Sequence, residues 1–478
     1  MRRVPTPTTS RPSRPALRRI EIRLVSCYEL GHQPLAVATA QAALERCGFR
    51  PAAVDLAVEP LAAEAASRPA DLIAISVPMH TALHIGVAAA RRLRGAHEAA
   101  HICLYGLYAS LNADYLLGAG LCDSIVGGEF ERPLVDLARA LAGGSPVEEV
   151  RGLRLAGRPS PPNVERTPFD LPARGGLPPL ERYAKLRIDG GERTAAAIEA
   201  SRGCLHHCRH CPIPPVYDGR FFVVPRELVL GDVRNLVAAG VRHLTFADPD
   251  FLNGPRHTMT LAREIHEEFP HLTFDVTTKI ENLLRHRERL PQLARFGCVF
   301  VVSAVESLND TVLEHLAKGH TRRDVFEAQR LVARAGIALR PSLVPFTPWE
   351  TLDSYRELLD WIECDALADG IDPVQLSIRL LVPPGSLLER SPAMRPYLRA
   401  FEPQRFGHRW DHPDPRMDAL QREVARIVAR AARHAEPGRA THARIRRAAG
   451  VPASPVPTRV PPALAAADPP RLTEPWFC

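Results

Sequence analysis

The chain has 478 residues, 45% of them apolar, which is enough for two or three domains with ordinary buried cores. Its net charge of +7 comes from arginine-rich ends and scattered Arg without interleaved aromatic residues, which weighs against a nucleic-acid surface. No run of about 18 apolar residues offers a membrane span, and ten cysteines are too sparse for a disulfide scaffold and point to a reducing, cytoplasmic setting.

Residues 1–19 combine Arg, Pro, Ser and Thr without the apolar run of a secretory signal and read as a disordered leader. From 20 to 142, short β-branched runs alternate with helical patterns, the order of a parallel, doubly wound, Rossmann-like sheet. Residues 143–190 are crowded with Pro, Gly and Arg and read as a linker. From 191 to 390, strands are expected at 195–201, 243–250, 272–279, 298–307, 337–346 and 374–382, each separated from the next by a helical segment. Six such βα units favour a partial (β/α)6 barrel with its chemistry at the C-terminal strand ends. Residues 391–450 read as helical, and 451–478 as a flexible tail rich in Pro and Ala. The expected fold class is therefore α/β: a Rossmann-like domain, a partial barrel and a helical C-terminal region.

The strongest local signal is Cys204-Leu-His-His-Cys208-Arg-His-Cys211, directly after the first barrel strand. Three thiolates can hold three irons of a cubane cluster and leave the fourth iron open to a ligand. The adjoining Arg202, His206, His207, Arg209 and His210 are placed to lower thiolate pKa values or tune a cluster potential. A zinc knob with His207 or His210 as fourth ligand is the competing reading. Cys47, Cys103, Cys122, Cys298 and Cys364 stand in apolar contexts and read as packing residues.

A CxxxCxxC loop at this place resembles the signature of the radical S-adenosylmethionine (SAM) superfamily, and the resemblance extends over roughly residues 194–390. It implies a 4Fe-4S cluster on Cys204, Cys208 and Cys211, with SAM chelated at the open iron and reductively cleaved to a 5′-deoxyadenosyl radical. It gives His210 the place of an aromatic residue beside the adenine, and Asp248, followed by Asp250, the place of a Gly-Gly-Glu segment near the amino group of SAM. Ser303 and Glu306 resemble the fourth-strand motif that contacts the ribose and methionyl part. The turns at 343–350 and 381–385 resemble those that enclose the adenine.

The N-terminal region resembles the cobalamin-binding domain that precedes the barrel in one subgroup of this superfamily. Ser76 and Gly106 end its strands, and the segment from Cys122 to Glu131 is similar to the subgroup's Asp-x-Val-x-Gly-Glu-x-Glu end. The Asp-x-His-x-x-Gly loop that supplies an imidazole to cobalt is absent after the first strand, so only His32 or His80 is available for that role. The last eight residues, Arg471 to Cys478, resemble the tail of the CUAEP/CCAEP radical SAM family, whose chains finish Cys-Cys-Ala-Glu-Pro or Cys-selenocysteine-Ala-Glu-Pro. On that resemblance Cys478 is a candidate catalytic thiol, and the sequence is expected to stop at a selenocysteine codon.

The sequence thus reads as a radical SAM enzyme acting on a small-molecule substrate, supplied with electrons by a donor such as flavodoxin or ferredoxin. Cobalamin-dependent methyl transfer is the expected chemistry if cobalamin binds. The alternative is a non-catalytic iron–sulfur or zinc-binding redox sensor. An RNA-modifying radical enzyme has only the basic pI behind it. Substrate identity is not written in any local code.

Overall fold

The computed structural model describes residues 18–61, 69–365, 367–368, 370–451 and 469–474. Its first sheet holds β1 (Ile22–Ser26), β2 (Ala52–Asp55), β3 (Leu72–Ser76), β4 (His101–Tyr105), β5 (Ser124–Val126) and β6 (Leu153–Leu155) in the order β2-β1-β3-β4-β5-β6. The first five strands are parallel and β6 is antiparallel to β5. Every residue of β1 and β3 is buried, because helices cover both faces of a parallel sheet. Alternate side chains divide between two cores. Val25, Ile73, Ile75 and Leu104 pack with helix His80–Ala96 on one face, and Leu24, Leu72, Ala74 and Tyr105 pack with helices Leu35–Arg46 and Glu131–Gly143 on the other.

The second sheet is built on β7 (Lys185–Ile188), β8 (Gly191–Ile198), β11 (His243–Phe246), β12 (Thr273–Thr278), β13 (Cys298–Glu306) and β14 (Ala338–Leu343), and β17 (Arg471–Leu472) lies at its edge. A short antiparallel pair, β9 (Ser201–Gly203) with β10 (Phe221–Val223), follows β8. The five strands β8, β11, β12, β13 and β14 run parallel as a half-barrel, with β7 antiparallel to β8. A sixth strand was expected at 374–382. Instead a 3-10 turn covers Pro373–Ser377, and a single bridge joins Phe346 to Arg379. Pro373 favours the turn, and the Gln375 side chain accepts the Leu343 N–H at 2.9 Å, taking the place of a ladder bond at that edge of the sheet.

Two further expectations change. The stretch read as linker contains β6 and β7, and between them it packs against both domains. Tyr183 donates to Asp55 at 2.8 Å, and the Ala184 N–H donates to the Gly31 carbonyl. The tail, read as flexible, returns at β17 to pair antiparallel with β7. The region expected to be helical opens with a hairpin, β15 (Leu398–Glu402) and β16 (Gly407–Trp410), before helices Pro415–Arg433 and Gly438–Ala448 pack on the barrel core. Among the described residues no helix is long and apolar enough to cross a membrane.

Arg174 holds the connecting segment to the barrel. It forms two 2.8 Å bonds with Asp232, one of 2.7 Å with the Ala197 carbonyl and one of 3.2 Å with Gln33, all largely buried. Arg174→Ala strands the Asp232 carboxylate in the core and should lower stability by about 3–5 kcal/mol, read as a shifted urea midpoint.

Candidate active site

The cysteine loop is set up by its entry. Gly203 has φ +79°, and a Cβ there would sit 2.3 Å from the Arg220 carbonyl oxygen, so only glycine lets the chain turn into Cys204. Cys204 and Cys208 are buried and Cys211 is nearly so, and none is in a disulfide. Burial raises the Cys204 thiol and pushes Cys211 up to about 12, so these sulfurs ionise readily only beside a strong positive charge such as bound iron. Each thiol feels the others, yet among the described residues no group of three His, Cys, Asp or Glu side chains converges to hold a metal ion. Of the two histidines considered as a zinc ligand, His207 points to Asp218 at 3.4 Å and His210 to Glu306 at 3.2 Å.

The residues named for SAM contact fall into two groups. His210, Ser303 and Glu306 are associated with β13. Glu306 accepts from His210 at 3.2 Å and from Lys318 at 2.9 Å, and the Ser303 hydroxyl donates to the Thr278 carbonyl at 2.7 Å. Burial alone would raise the Glu306 pKa, but Lys318 and then His210 overcome it and hold the carboxyl well below its ordinary range. Glu306 also has φ +66°, at a register shift between β13 and β14, a strained conformation of the kind that collects at functional sites. Asp248 lies apart from this group. It accepts from the Ala200 N–H and the Ser201 hydroxyl, so it anchors the start of the cysteine loop, and burial raises it to about 7. Asp250 is filled by the Leu252 and Lys279 N–H groups, Thr278 and Asn282.

Arg202, two residues before Cys204, is a contact that spacing alone does not reveal. Its guanidinium is buried among Glu199, Glu131 and Glu129 at 2.8–3.2 Å, between the rings of Phe130 and Phe169. Glu129 and Glu131 belong to the end of the first domain, so this side chain ties the cysteine loop to it.

One cavity of about 390 Å³ is lined by residues at or just past the ends of strands of the first sheet and by residues of the half-barrel strands. Ser76, Gly106 and Asp248 line it, while His210, Ser303, Glu306 and the three cysteines do not. Gly106 has φ +109°, and a Cβ there would crowd the Val77 backbone. The Ser76 and Tyr105 hydroxyls influence one another, but neither completes a hydrogen bond. His32 lines the cavity with an unpartnered Nδ1, whereas His80 lies outside it, bonded to the Arg405 carbonyl at 2.7 Å.

Sequence reasoning missed Glu29, Asp275 and Glu474 as wall residues. Asp275 gave a signal, a lone carboxylate in an apolar strand. It accepts from Thr245 at 2.7 Å and pairs with His243 at 2.9 Å. Glu474 gave none, since its placement follows from the two-residue β17. Cys478 lies outside the described residues.

Burial pushes the His32 imidazole down to about 4, with Asp275 opposing the shift and His243 and Arg174 adding to it. The unfolded chain takes up that proton near the ordinary value of about 6.5. The stability carried by the neutral ring is therefore complete above pH 6.5 and is lost as pH falls toward 4, by about 2 kcal/mol at pH 5. His32→Gln should reduce the drop in Tm between pH 7 and pH 5 by thermal denaturation; an unchanged drop would assign the acid sensitivity to other groups.

The model of the radical SAM superfamily matches residues 198–362. The hopanoid C-3 methylase of Methylococcus capsulatus is 26% identical over 246 residues, 51% of this chain and 46% of that protein. The ribosomal protein uS12 methylthiotransferase RimO of Geobacter sulfurreducens is 28% identical over 193 residues, 37% of this chain and 41% of its own. The chain thus spans less than half the length of these curated relatives. Among solved structures, the cobalamin-dependent radical enzyme OxsB with aqua-cobalamin and SAM bound superposes with a TM-score of 0.67 at 17% identity, covering 86% of this chain and 66% of OxsB. The radical SAM methyltransferase TsrM of Kitasatospora setae, with cobalamin and a 4Fe-4S cluster bound, gives 0.59 at 20% identity, covering 72% and 73%. At these identities the structures speak for the fold. Residues 198–362 of this chain are a radical SAM superfamily domain, and a Rossmann-like sheet precedes it on the other side of a shared cavity.

Proposed function

We propose that the chain is a radical SAM enzyme that holds a 4Fe-4S cluster on Cys204, Cys208 and Cys211. It binds SAM beside that cluster and cobalamin against the first domain, and it methylates a small-molecule substrate in the cavity between them. The observation that carries this reading is a loop of three free thiols after β8 whose flanking residues, Gly203 and Ile213, line a cavity shared by residues of both sheets. The names of the hopanoid C-3 methylase and of TsrM, both methyl-transferring proteins, point the same way.

When bound, these groups supply one-electron cleavage of SAM and a cobalt carrier for the methyl group. The chain's own residues do the rest. Buried thiols at 204, 208 and 211 become ligands as iron takes the place of their protons. The Glu306–Lys318 pair and His210 form a rigid polar edge for the ribose and methionyl groups of SAM. Asp248, held by Ala200 and Ser201, keeps the loop at a fixed height. Ser76 and Gly106 give the first domain a polar contact and a close backbone approach to the corrin. Apolar walls that include Met79, Phe130, Ile213 and Phe246 keep water from a radical intermediate. An electron donor such as flavodoxin or ferredoxin would supply the electron. On the resemblance of its tail, Cys478 is proposed as a redox thiol of the same enzyme.

The test is anaerobic reconstitution of the full chain with iron and sulfide, then addition of SAM, a reductant and hydroxocobalamin. Production of 5′-deoxyadenosine that disappears in Cys208→Ala, together with protein-bound cobalt, is expected. A reduced cluster that never cleaves SAM would return the chain to the redox-sensor reading.

A further inference from the structure

We propose that the wall formed by Glu29, His32, Asp275 and Glu474 binds a primary or secondary amine carried on an apolar skeleton. This rests on the function proposed above for the location of the chemistry and adds the substrate class.

The four residues come from three distant parts of the chain and meet on one cavity. Glu29 and His32 lie in the loop after β1, Asp275 is on β12, and Glu474 follows β17. Glu474 sits against that loop: Tyr28 donates to it at 2.8 Å, and a Cβ on Gly31 would lie 2.7 Å from its side chain. His32 lies within the electrostatic reach of Asp275. The loop therefore brings its two polar groups to the open end of the half-barrel, and the returning tail adds a third carboxylate.

Two buried polar atoms on this wall are left without a hydrogen-bond partner. Glu29 uses Oε2 to receive the Leu35 and Ala36 N–H groups at the start of a helix, and its buried Oε1 has no partner. His32 is 5% exposed, and its Nδ1 has no partner either. The imidazole is neutral at pH 7, since burial holds it down to about 4, and so it can present a lone pair.

The cations on the wall are committed. Arg202 is surrounded by three carboxylates, and Arg340 is engaged by Asp372 at 3.0 Å and stacked 5.7 Å from the Phe300 ring. An anionic ligand would meet the Asp275 and Glu474 carboxylates, with no uncommitted cation among the described lining residues. An ammonium group is complementary to the same wall, and the rest of the cavity is lined mainly by apolar side chains. Burial raises the Glu29 carboxyl to about 8, and an ammonium beside it would favour the ionised form again, so ligand and wall stabilise each other's charge.

The experiment uses the full chain with its cluster reconstituted and three probes of one shape: cyclohexylamine, cyclohexanol and cyclohexanecarboxylate. Binding is followed by saturation-transfer NMR. Cyclohexylamine should bind at least tenfold more tightly than either other probe. The double variant Glu29→Gln with Glu474→Gln, which retains the acceptors for Leu35, Ala36 and Tyr28, should erase that preference. His32→Gln, with its fold checked by circular dichroism, should weaken the amine without strengthening the carboxylate. Equal binding of cyclohexanol or cyclohexanecarboxylate, or an amine affinity unchanged in the double variant, would overturn the assignment. Formation of 5′-deoxyadenosine is scored on the same samples. Cleavage without amine preference defeats this inference alone, and amine preference without cleavage defeats the proposed function alone.

Discussion

One buried guanidinium joins the two halves of this protein. Arg202 leaves the half-barrel two residues before Cys204 and donates to Glu129 and Glu131 at the end of the first domain and to Glu199 beside its own strand. Its flat faces meet Phe130 and Phe169 at 5.3 and 5.1 Å. Such a site works only as a unit: three carboxylates cannot be buried together without the cation, and the cation cannot be buried without them. Burial pushes Glu129 up to about 7 despite Arg202, and the Tyr217 hydroxyl donates to it at 2.9 Å. The planar, multiply hydrogen-bonded arrangement sets the height of the cysteine loop relative to the first domain, a task lysine's single point charge would perform poorly.

From that fixed joint the rest of the site follows. Strands β1, β3, β4 and β5 of the first sheet reach the cavity at or just past their C-terminal ends, and the five parallel strands of the half-barrel reach it through residues within or just past them. Internal hydrogen bonds occupy most polar groups around the cysteine loop. Asp248, Asp250, Ser303 and Glu306 all have protein partners, so they position the loop and the strand ends before any ligand arrives. Polar atoms left without partners occur on both sides, at Glu29, His32 and Ser76 in the first domain and at His210, Asn253 and His320 near the cysteine loop.

The tail contributes more than its length suggests. Only residues 469–474 are described beyond Val451, yet they add a strand to the half-barrel sheet, and Thr473 exchanges hydrogen bonds with Lys185. Leu472 and Glu474 then enter the wall of the cavity. A segment rich in Pro and Ala carries no periodicity from which such docking could be read. Its strand is two residues long, and its order comes from the exposed edge of β7 rather than from its own propensity.

What the sequence determined by itself was local. The CxxxCxxC spacing, the apolar runs of β1 and β3 and the βα alternation are each read within about 20 residues, and each corresponds to an element of the structure. The same local logic erred where a neighbour supplied the deciding bond. The 374–382 run alternates like a strand, but Pro373 and the Gln375–Leu343 contact make it a turn, and Arg174 makes part of an apparent linker a structural element. Only the tertiary structure decided which polar groups share a cavity. Glu29, Asp275 and Glu474 stand about 200 or more residues apart in sequence, and no periodicity connects them. Their meeting depends on how two sheets are joined at Arg202 and where the tail finds an edge, which are properties of packing and charge burial over long range.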